Sequence, residues 1–228
     1  MKTYISLLPA ATEILTRLDA LDGLLGVSHL CRLPEGVSRP VLQSTPIESD
    51  HWDMKRISDE VARTIREGRE MYVLDKKKIM ELGPDIVFSQ NLCQVCAISA
   101  DECARRPELA GRTLIDLSPR SLSDVADCFV MVGEAIGKVA AADALRNEFQ
   151  SRIDAVRERT RGLDKPRVLI LEWFEPIWVA GDWAAEMIDA AGGVPLESRP
   201  GEPSRKIEWA EVLSSAPDAL ILAACSMD

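Results

Sequence analysis

Cys93 and Cys96 stand three positions apart in "FSQNLCQVCAIS", directly after a short apolar run, and that spacing admits three chemistries. A structural zinc site needs four nitrogen or sulfur ligands at tetrahedral corners. The chain has no second CxxC and no close histidine pair, so His29 and Cys31 of "GVSHLC" would have to complete a His/Cys3 set with Cys93 and Cys96. A redox pair needs its thiol at a helix N-terminus, where the dipole lowers the pKa. Here the helix signal starts later, at Ser99, with Glu102 three residues on as a capping box. The third reading makes both cysteines small, soft wall residues of a binding pocket, and it is the one preferred here.

The remaining chemistry-bearing side chains are aromatic or acidic. Only 5% of the residues are aromatic, yet Trp173, Phe174, Trp178 and Trp183 crowd into "EWFEPIWVAGDW". Pro176 and Gly181 give the stretch the composition of a loop, so these flat side chains suit a large flat ligand better than a core. Glu13, Glu172 and Glu175 are carboxylates near strand ends, but no Ser/His/Asp order, HExxH, GxGxxG, GKS or GKT follows any strand. With two histidines in all, acid–base catalysis would rest on acids or thiols alone. These residues describe a binding protein without catalysis. The alternative is a metal- or redox-active protein using Cys93 and Cys96 with His29 and Cys31.

Bulk properties narrow the ligand. A chain of 228 residues, 46% of them hydrophobic, supports a packed core. The formal net charge of -10 argues against nucleic acid and anionic membrane surfaces as partners, both of which require basic patches. No run approaches the ~20 apolar residues of a membrane span, so no membrane insertion is expected. A neutral or cationic small molecule fits the charge better. "TYISLLP" reads as a first strand with no room for a secretory signal, which places the chain as written in the cytoplasm; a removed signal would make it periplasmic or extracytoplasmic. Six cysteines are too sparse for a disulfide scaffold.

The elements that must position these residues alternate in the α/β manner. Continuously apolar strand signals cover 3–8, 24–28, 40–43, 85–89, 113–117, 167–172 and 219–223, the pattern of parallel strands covered on both faces. "DMKRISDEVARTIREG" spaces Met54, Ile57, Val61 and Ile65 for an amphipathic helix that Gly68 closes. From Leu122 a helical period runs through Val125, Phe129, Val132 and Ile136, then Leu145, Phe149, Ile153 and Val156. It is either one helix of roughly forty residues, about 60 Å long, or two broken at Gly133 or Gly137. The expected organisation is an N-terminal α/β lobe over 1–118, a linker helix over 119–163 and a C-terminal α/β lobe over 164–228. Two clear strands make a thin sheet, so the second lobe is expected to be incomplete at its C-terminus.

In an open parallel sheet, ligands bind beyond the carboxyl ends of the strands. That rule gathers Pro9, Ala10 and Thr12, then His29 and Cys31, then Gln90, Cys93 and Cys96, then Trp173, Phe174 and Trp178 toward one cleft.

At this point a resemblance appears. "YISLLPAATEILTRLDALDGLLGVSHLC", "LGPDIVFSQ", "SLSDVADCFVMVGEAIGK", "VAGDWAAEMIDAAGGVPL" and "SRKIEWAEVLSSAPDALIL" are similar, in that order, to segments of one family. It is the cobalamin-type substrate-binding proteins of ABC importers, the class with a single long linker helix that carries cobalamin, haem and ferric siderophores. "QNLCQVCA" resembles a branch usually labelled cobalamin-binding. The resemblance implies two Rossmann-like lobes joined by a long α-helix, with cobalamin or a related corrinoid held as ligand in the cleft between them. It also implies an ABC importer permease as partner, or a cytoplasmic carrier role where no export signal exists. The implied contacts are Pro9, Ala10 and Thr12 in the first turn, Gln90 and Cys93 beside the fourth strand, and Trp173, Phe174 and Trp178. His29 is a candidate lower ligand to cobalt. The family continues by another strand-helix set beyond the end of this chain, which again leaves the second lobe incomplete.

Overall fold

Tyr4, Ile5 and Ser6 are all buried because β1 (Tyr4–Ser6) lies inside a six-stranded sheet. The computed structural model describes residues 2–47, 52–93, 95 and 97–225. β1 pairs in parallel with β2 (Leu24–Ser28) on one side and with β5 (Ile86–Ser89) on the other. The sheet extends to β3 (Val41–Ser44) and β4 (Val73–Leu74) beyond β2, and to β6 (Thr113–Asp116) beyond β5. Only β4 runs antiparallel. The order β4-β3-β2-β1-β5-β6 is that of an open parallel sheet, and its continuous apolar strands are those read as doubly covered.

Each face of this sheet has its own core. Tyr4, Leu24, Ile86 and Phe88 point toward α1 (Pro9–Arg17) and α5 (Leu122–Ile136), meeting Ala11, Ile14, Leu15, Cys128 and Val132. Ile5, Leu42, Leu74 and Val87 point the other way, onto Ile79 of α3 (Lys76–Leu82) and Cys103 of α4 (Ala100–Ala104). Each fully buried aliphatic or aromatic side chain contributes ~1.5–3 kcal/mol relative to exposure. Local signals set the helix ends. Asp75 accepts from Lys78 N at 2.9 Å, Gly83 ends α3 with φ +56, and Ser99 accepts from Glu102 N at 3.1 Å. In α2 (Met54–Arg66) the fully buried residue is Thr64, whereas Ile65 is 59% exposed. The inward stripe steps from Val61 by three rather than four, which a 3.6-residue period allows equally well.

The helical pattern after Leu122 is two helices, α5 and then α6 (Val139–Thr160). Gly137 separates them at φ +78, and Lys138 N closes back on Gly133 O at 2.7 Å. Gly133 has no room for a side chain, because a Cβ there would stand 2.3 Å from the Ala142 Cβ.

The described residues fall into two compact units, one within 1–51, 59–118 and 128–145, the other within 52–58, 119–127 and 146–228. Both are α/β. In the second, β7 (Arg167–Phe174) pairs in parallel with β11 (Ala219–Leu222) and antiparallel with β8 (Ile177–Val179). β10 (Arg205–Lys206) joins β8, and β9 (Val194–Pro195) joins the start of β7. This corrects the two-strand sheet expected from sequence. β8, β9 and β10 are two or three residues long and partly edge strands, too short to show any periodicity. Leu169, Leu171, Ile177, Val179, Ile207 and Val212 form the core, and α7 (Ala184–Ala190) and α8 (Trp209–Ser215) complete the unit. A reciprocal box between Glu208 and Glu211 caps α8.

Candidate functional site

Within the first unit, the carboxyl ends of β1, β2 and β5 carry the loops singled out from sequence. Pro9 and Ala10 are exposed at the first turn of α1, where no side chain caps the helix. Thr12 is different. It is 1% exposed, its Oγ1 donates to Ser6 Oγ at 2.9 Å, and Ser6 Oγ donates to Leu8 O at 2.8 Å. Thr12 therefore secures the β1–α1 turn from inside rather than facing a ligand.

His29 is half-buried, and both its backbone N and its ring Nδ1 meet Gln43 O, at 2.9 and 3.1 Å. A carbonyl only accepts, so Nδ1 is the donor in this contact. Cys31 turns inward, its Sγ 3.9 Å from Ser6 O and bonded by the hydroxyls of Thr12, Ser6 and Ser28. Burial pushes its thiol pKa up, and the hydroxyls only partly oppose this. Cys31 is a thiol, not a thiolate.

The Cys93 loop is shaped from within by Gln90. That residue is 5% exposed; its Oε1 accepts from Cys93 N at 2.7 Å, and its Nε2 donates to Cys93 O at 2.5 Å and Ala97 O at 3.4 Å. Ser89 Oγ donates to Ile98 O at 2.6 Å, and the Tyr72 hydroxyl donates to Val95 O. Asn91 N is held by Asp116 Oδ1 at 3.0 Å and Ser118 Oγ at 2.6 Å. The amide read as a ligand contact is thus occupied as a loop clamp, and half-buried Cys93 rests on it. Cys96 lies outside the described residues.

Among the described residues, no three His, Cys, Asp or Glu side chains come together to hold a metal. His29, Cys31 and Cys93 do not form the expected set, because Cys31 points to the hydroxyls beneath its own loop. Cys103 is buried against Ser89, and its thiol is pushed up to about 11 by burial, which makes it inert.

The second unit carries the aromatics on a hairpin. Trp173 of β7 and Trp178 of β8 are direct cross-strand partners, so their side chains share one face of the ribbon. Trp178 is 37% exposed. Trp173 is oriented by its indole N–H, which donates to Ser58 Oγ at 2.7 Å and Glu175 O at 2.9 Å. Ser58 Oγ in turn donates to Glu175 O at 2.7 Å, and the Glu175–Pro176 peptide is cis. Phe174 packs against the Leu171 and Ile177 core instead, since its neighbour on the strand took the open face.

Behind this hairpin sit two carboxylates that sequence reasoning left without a role or missed. Burial raises the pKa of Glu172, Ser204 pulls it down and the charge of Asp182 raises it further. Burial also raises Asp182, opposed by its 2.9 Å ion pair with Arg120. Asp182 is a non-glycine residue at φ +52, held there by Asp182 N to Glu202 O at 2.6 Å and Gly201 N to Asp182 O at 3.1 Å. A folded-state carboxyl raised above its unfolded value costs nothing at pH below the unfolded pKa, and its full cost appears above the folded pKa. Glu172→Gln should therefore raise the melting temperature at pH 7.5, with the gain shrinking as pH falls to about 4.5, the ordinary Glu value. Melting curves of the two proteins across that range check it; a gain independent of pH would refute the assignment.

Comparison with known proteins bears on this geometry. The sequence profile of the family described as periplasmic binding protein matches residues 5–228. No match is found among curated proteins. A possible iron-binding (periplasmic solute-binding) protein from Staphylococcus epidermidis is similar in structure at TM-score 0.70 and 19% identity, covering 96% of this chain and 76% of that one. The periplasmic heme-binding protein RhuT of Roseiflexus sp. RS-1 is similar at TM-score 0.67 and 21% identity, over 97% and 76% of the two chains. The periplasmic vitamin B12 binding protein BtuF of Vibrio cholerae is similar at TM-score 0.63 and 20% identity, again over 97% and 76%. At these identities the likeness establishes the two-lobe α/β fold.

Proposed function

Because this chain belongs to the periplasmic binding protein family, we propose that it is a non-catalytic binding protein for a large flat metal chelate, a corrinoid such as cobalamin. It would pass its ligand to an ABC importer permease. The observation that carries this reading is the Trp173–Trp178 pair, with one indole fixed by hydrogen bonds and its partner 37% exposed on the same ribbon face. An indole face held in place loses little entropy on binding, so it gives a planar ligand contact area at low cost. The solved relatives named for heme, vitamin B12 and iron point to the same ligand class. The net charge of -10 favours a corrinoid with uncharged side groups over a dicarboxylate such as haem. In the first unit, exposed Pro9 and Ala10 and the half-buried ring of His29 are the groups available to a ligand, with Cys93 on its clamped loop.

The test is titration with cyanocobalamin, dicyanocobinamide and haemin, following visible absorbance and tryptophan emission. The expected result is a spectral shift with at least one corrinoid and quenching of emission. Trp178→Ala should weaken that binding about 10- to 100-fold, the range for loss of an interface aromatic, with the fold intact by circular dichroism. Unchanged spectra with all three compounds, each well above the protein concentration, would refute the reading.

A further inference from the structure

Among the described residues, Gln43 is the one side chain at the strand ends whose hydrogen-bonding capacity is wholly unused. It is 0% exposed, and neither its Nε2 nor its Oε1 has a partner. Which atom is oxygen and which nitrogen does not matter, because both are orphaned. A buried polar group without a partner destabilises the fold, and such groups call for a specific reason.

The setting of Gln43 supplies one. It is the register partner of Ser28 in the parallel β2–β3 pair, across an irregularity at Val27/Ser28. Ser28, Ser6 and Thr12, each 0 or 1% exposed, are buried polar side chains at or just beyond the carboxyl ends of β1 and β2. The others are engaged: Thr12 Oγ1 donates to Ser6 Oγ, Ser6 Oγ donates to Leu8 O, and Ser28 Oγ accepts from Leu30 N at 3.2 Å. Gln43 alone is left over, one residue before exposed Ser44 ends its strand, and its backbone carbonyl anchors His29. A group that satisfies both orphaned atoms brings an acceptor to Nε2 and a donor to Oε1 side by side. A primary carboxamide does this with its own C=O and NH2. A carboxylate offers no donor and leaves Oε1 facing a like charge.

We propose that Gln43 selects ligands bearing peripheral carboxamides over their carboxylate counterparts. This rests on the corrinoid reading and deepens it, since the corrin ring of cobalamin is edged with such amides. Gln43 is a specificity residue kept at a cost to the ligand-free protein. Because Gln43 is 0% exposed, its surroundings must part for the amide to be reached.

Gln43→Met, nearly the same shape without the polar atoms, separates the possibilities, and Gln43→Leu serves as a second variant should the first misfold. The probes are dicyanocobinamide and its fully hydrolysed analogue dicyanocobyrinic acid, which share one ring and differ in amide against carboxylate side chains. Wild-type protein should prefer the amide form by about tenfold or more, and Gln43→Met should lower that preference by about threefold or more, the part set by the net charge of -10 remaining in both proteins. At the same time the ligand-free variant should melt about 2–8 °C higher, because the unsatisfied group is gone. A lower melting temperature, or a preference unchanged by the substitution, overturns the assignment and leaves Gln43 a structural residue satisfied by enclosed water. If wild-type protein binds neither probe, the corrinoid reading fails and this inference falls with it. Binding with an unaltered ratio removes only the role of Gln43.

Discussion

Gly181→Ala disrupts the second unit: a single methyl group there would stand 2.1 Å from Ser204 N, 2.3 Å from the Pro203 carbonyl carbon and 2.6 Å from Glu202 O. All three are backbone atoms, so no side chain can rotate away and the segment 202–204 itself must move. Overpacking ordinarily costs ~1–3 kcal/mol, and a clash with fixed backbone lies at or above the upper end. The displaced segment leads directly into β10, which is the outer neighbour of β8 through Arg205↔Val179 and Lys206↔Trp178. Moving it strips support from the strand that carries the exposed indole and pulls Ser204 off Glu172. The expected result is a fall of roughly 3 kcal/mol or more in stability to urea, with loss of corrinoid binding even where the first unit remains folded. Urea unfolding followed by tryptophan emission measures it, because all five tryptophans, Trp52, Trp173, Trp178, Trp183 and Trp209, belong to the second unit. A midpoint within experimental scatter of wild type would show that residues 202–204 yield freely and that the close approach at Gly181 is incidental.

Phe88→Ala is the corresponding change in the first unit. Phe88 is 0% exposed on β5, pairs across the sheet with Ser6 and Ile115, and meets the Tyr4 ring edge-on at 5.9 Å. Its removal takes away the largest fully buried side chain of the core between the sheet, α1 and α5, and leaves a cavity the surrounding strands cannot close. The expected cost is about 3–5 kcal/mol, a large part of the stability of one unit. The backbone of Phe88 also holds the β1 end, since Leu7 N donates to Phe88 O at 3.0 Å. The cavity therefore lies beneath the turn that presents Pro9 and Ala10. Circular dichroism in urea gives the stability change directly. A loss below about 1 kcal/mol would mean that the site collapses around the smaller side chain, contrary to the packing described here.

The parallel strands of the first sheet were legible because burial on both faces demands uninterrupted apolar residues, and "YIS", "LLGVS" and "IVFS" show little else, whereas the two-residue antiparallel β4 was not. Leu24–Ser28 was bounded exactly, and the other long strands within one or two residues. The three short strands of the second sheet were invisible, since Ile177–Val179 sits between Pro176 and Gly181 and reads as loop. The site divided in the same way. Pro9, Ala10 and His29 lie beyond strand ends with accessible surface, whereas Trp178 sits in the middle of β8 and is exposed on the open face of the hairpin. Thr12, Phe174 and Gln90 lie at the same strand ends but turn inward to Ser6, the Leu171 core and the Cys93 loop.

What the sequence by itself determined is the α/β alternation, the parallel strands and the loops that follow them. These depend on composition and local period, which the chain carries wherever its segments end up. Only the tertiary structure decided which of two adjacent residues faces outward, that Glu172 and Asp182 share one buried corner, and that Gln43 finds no partner. A hydrogen bond made or missed is a property of neighbours brought together from distant parts of the chain. No spacing along one strand records who stands on the next.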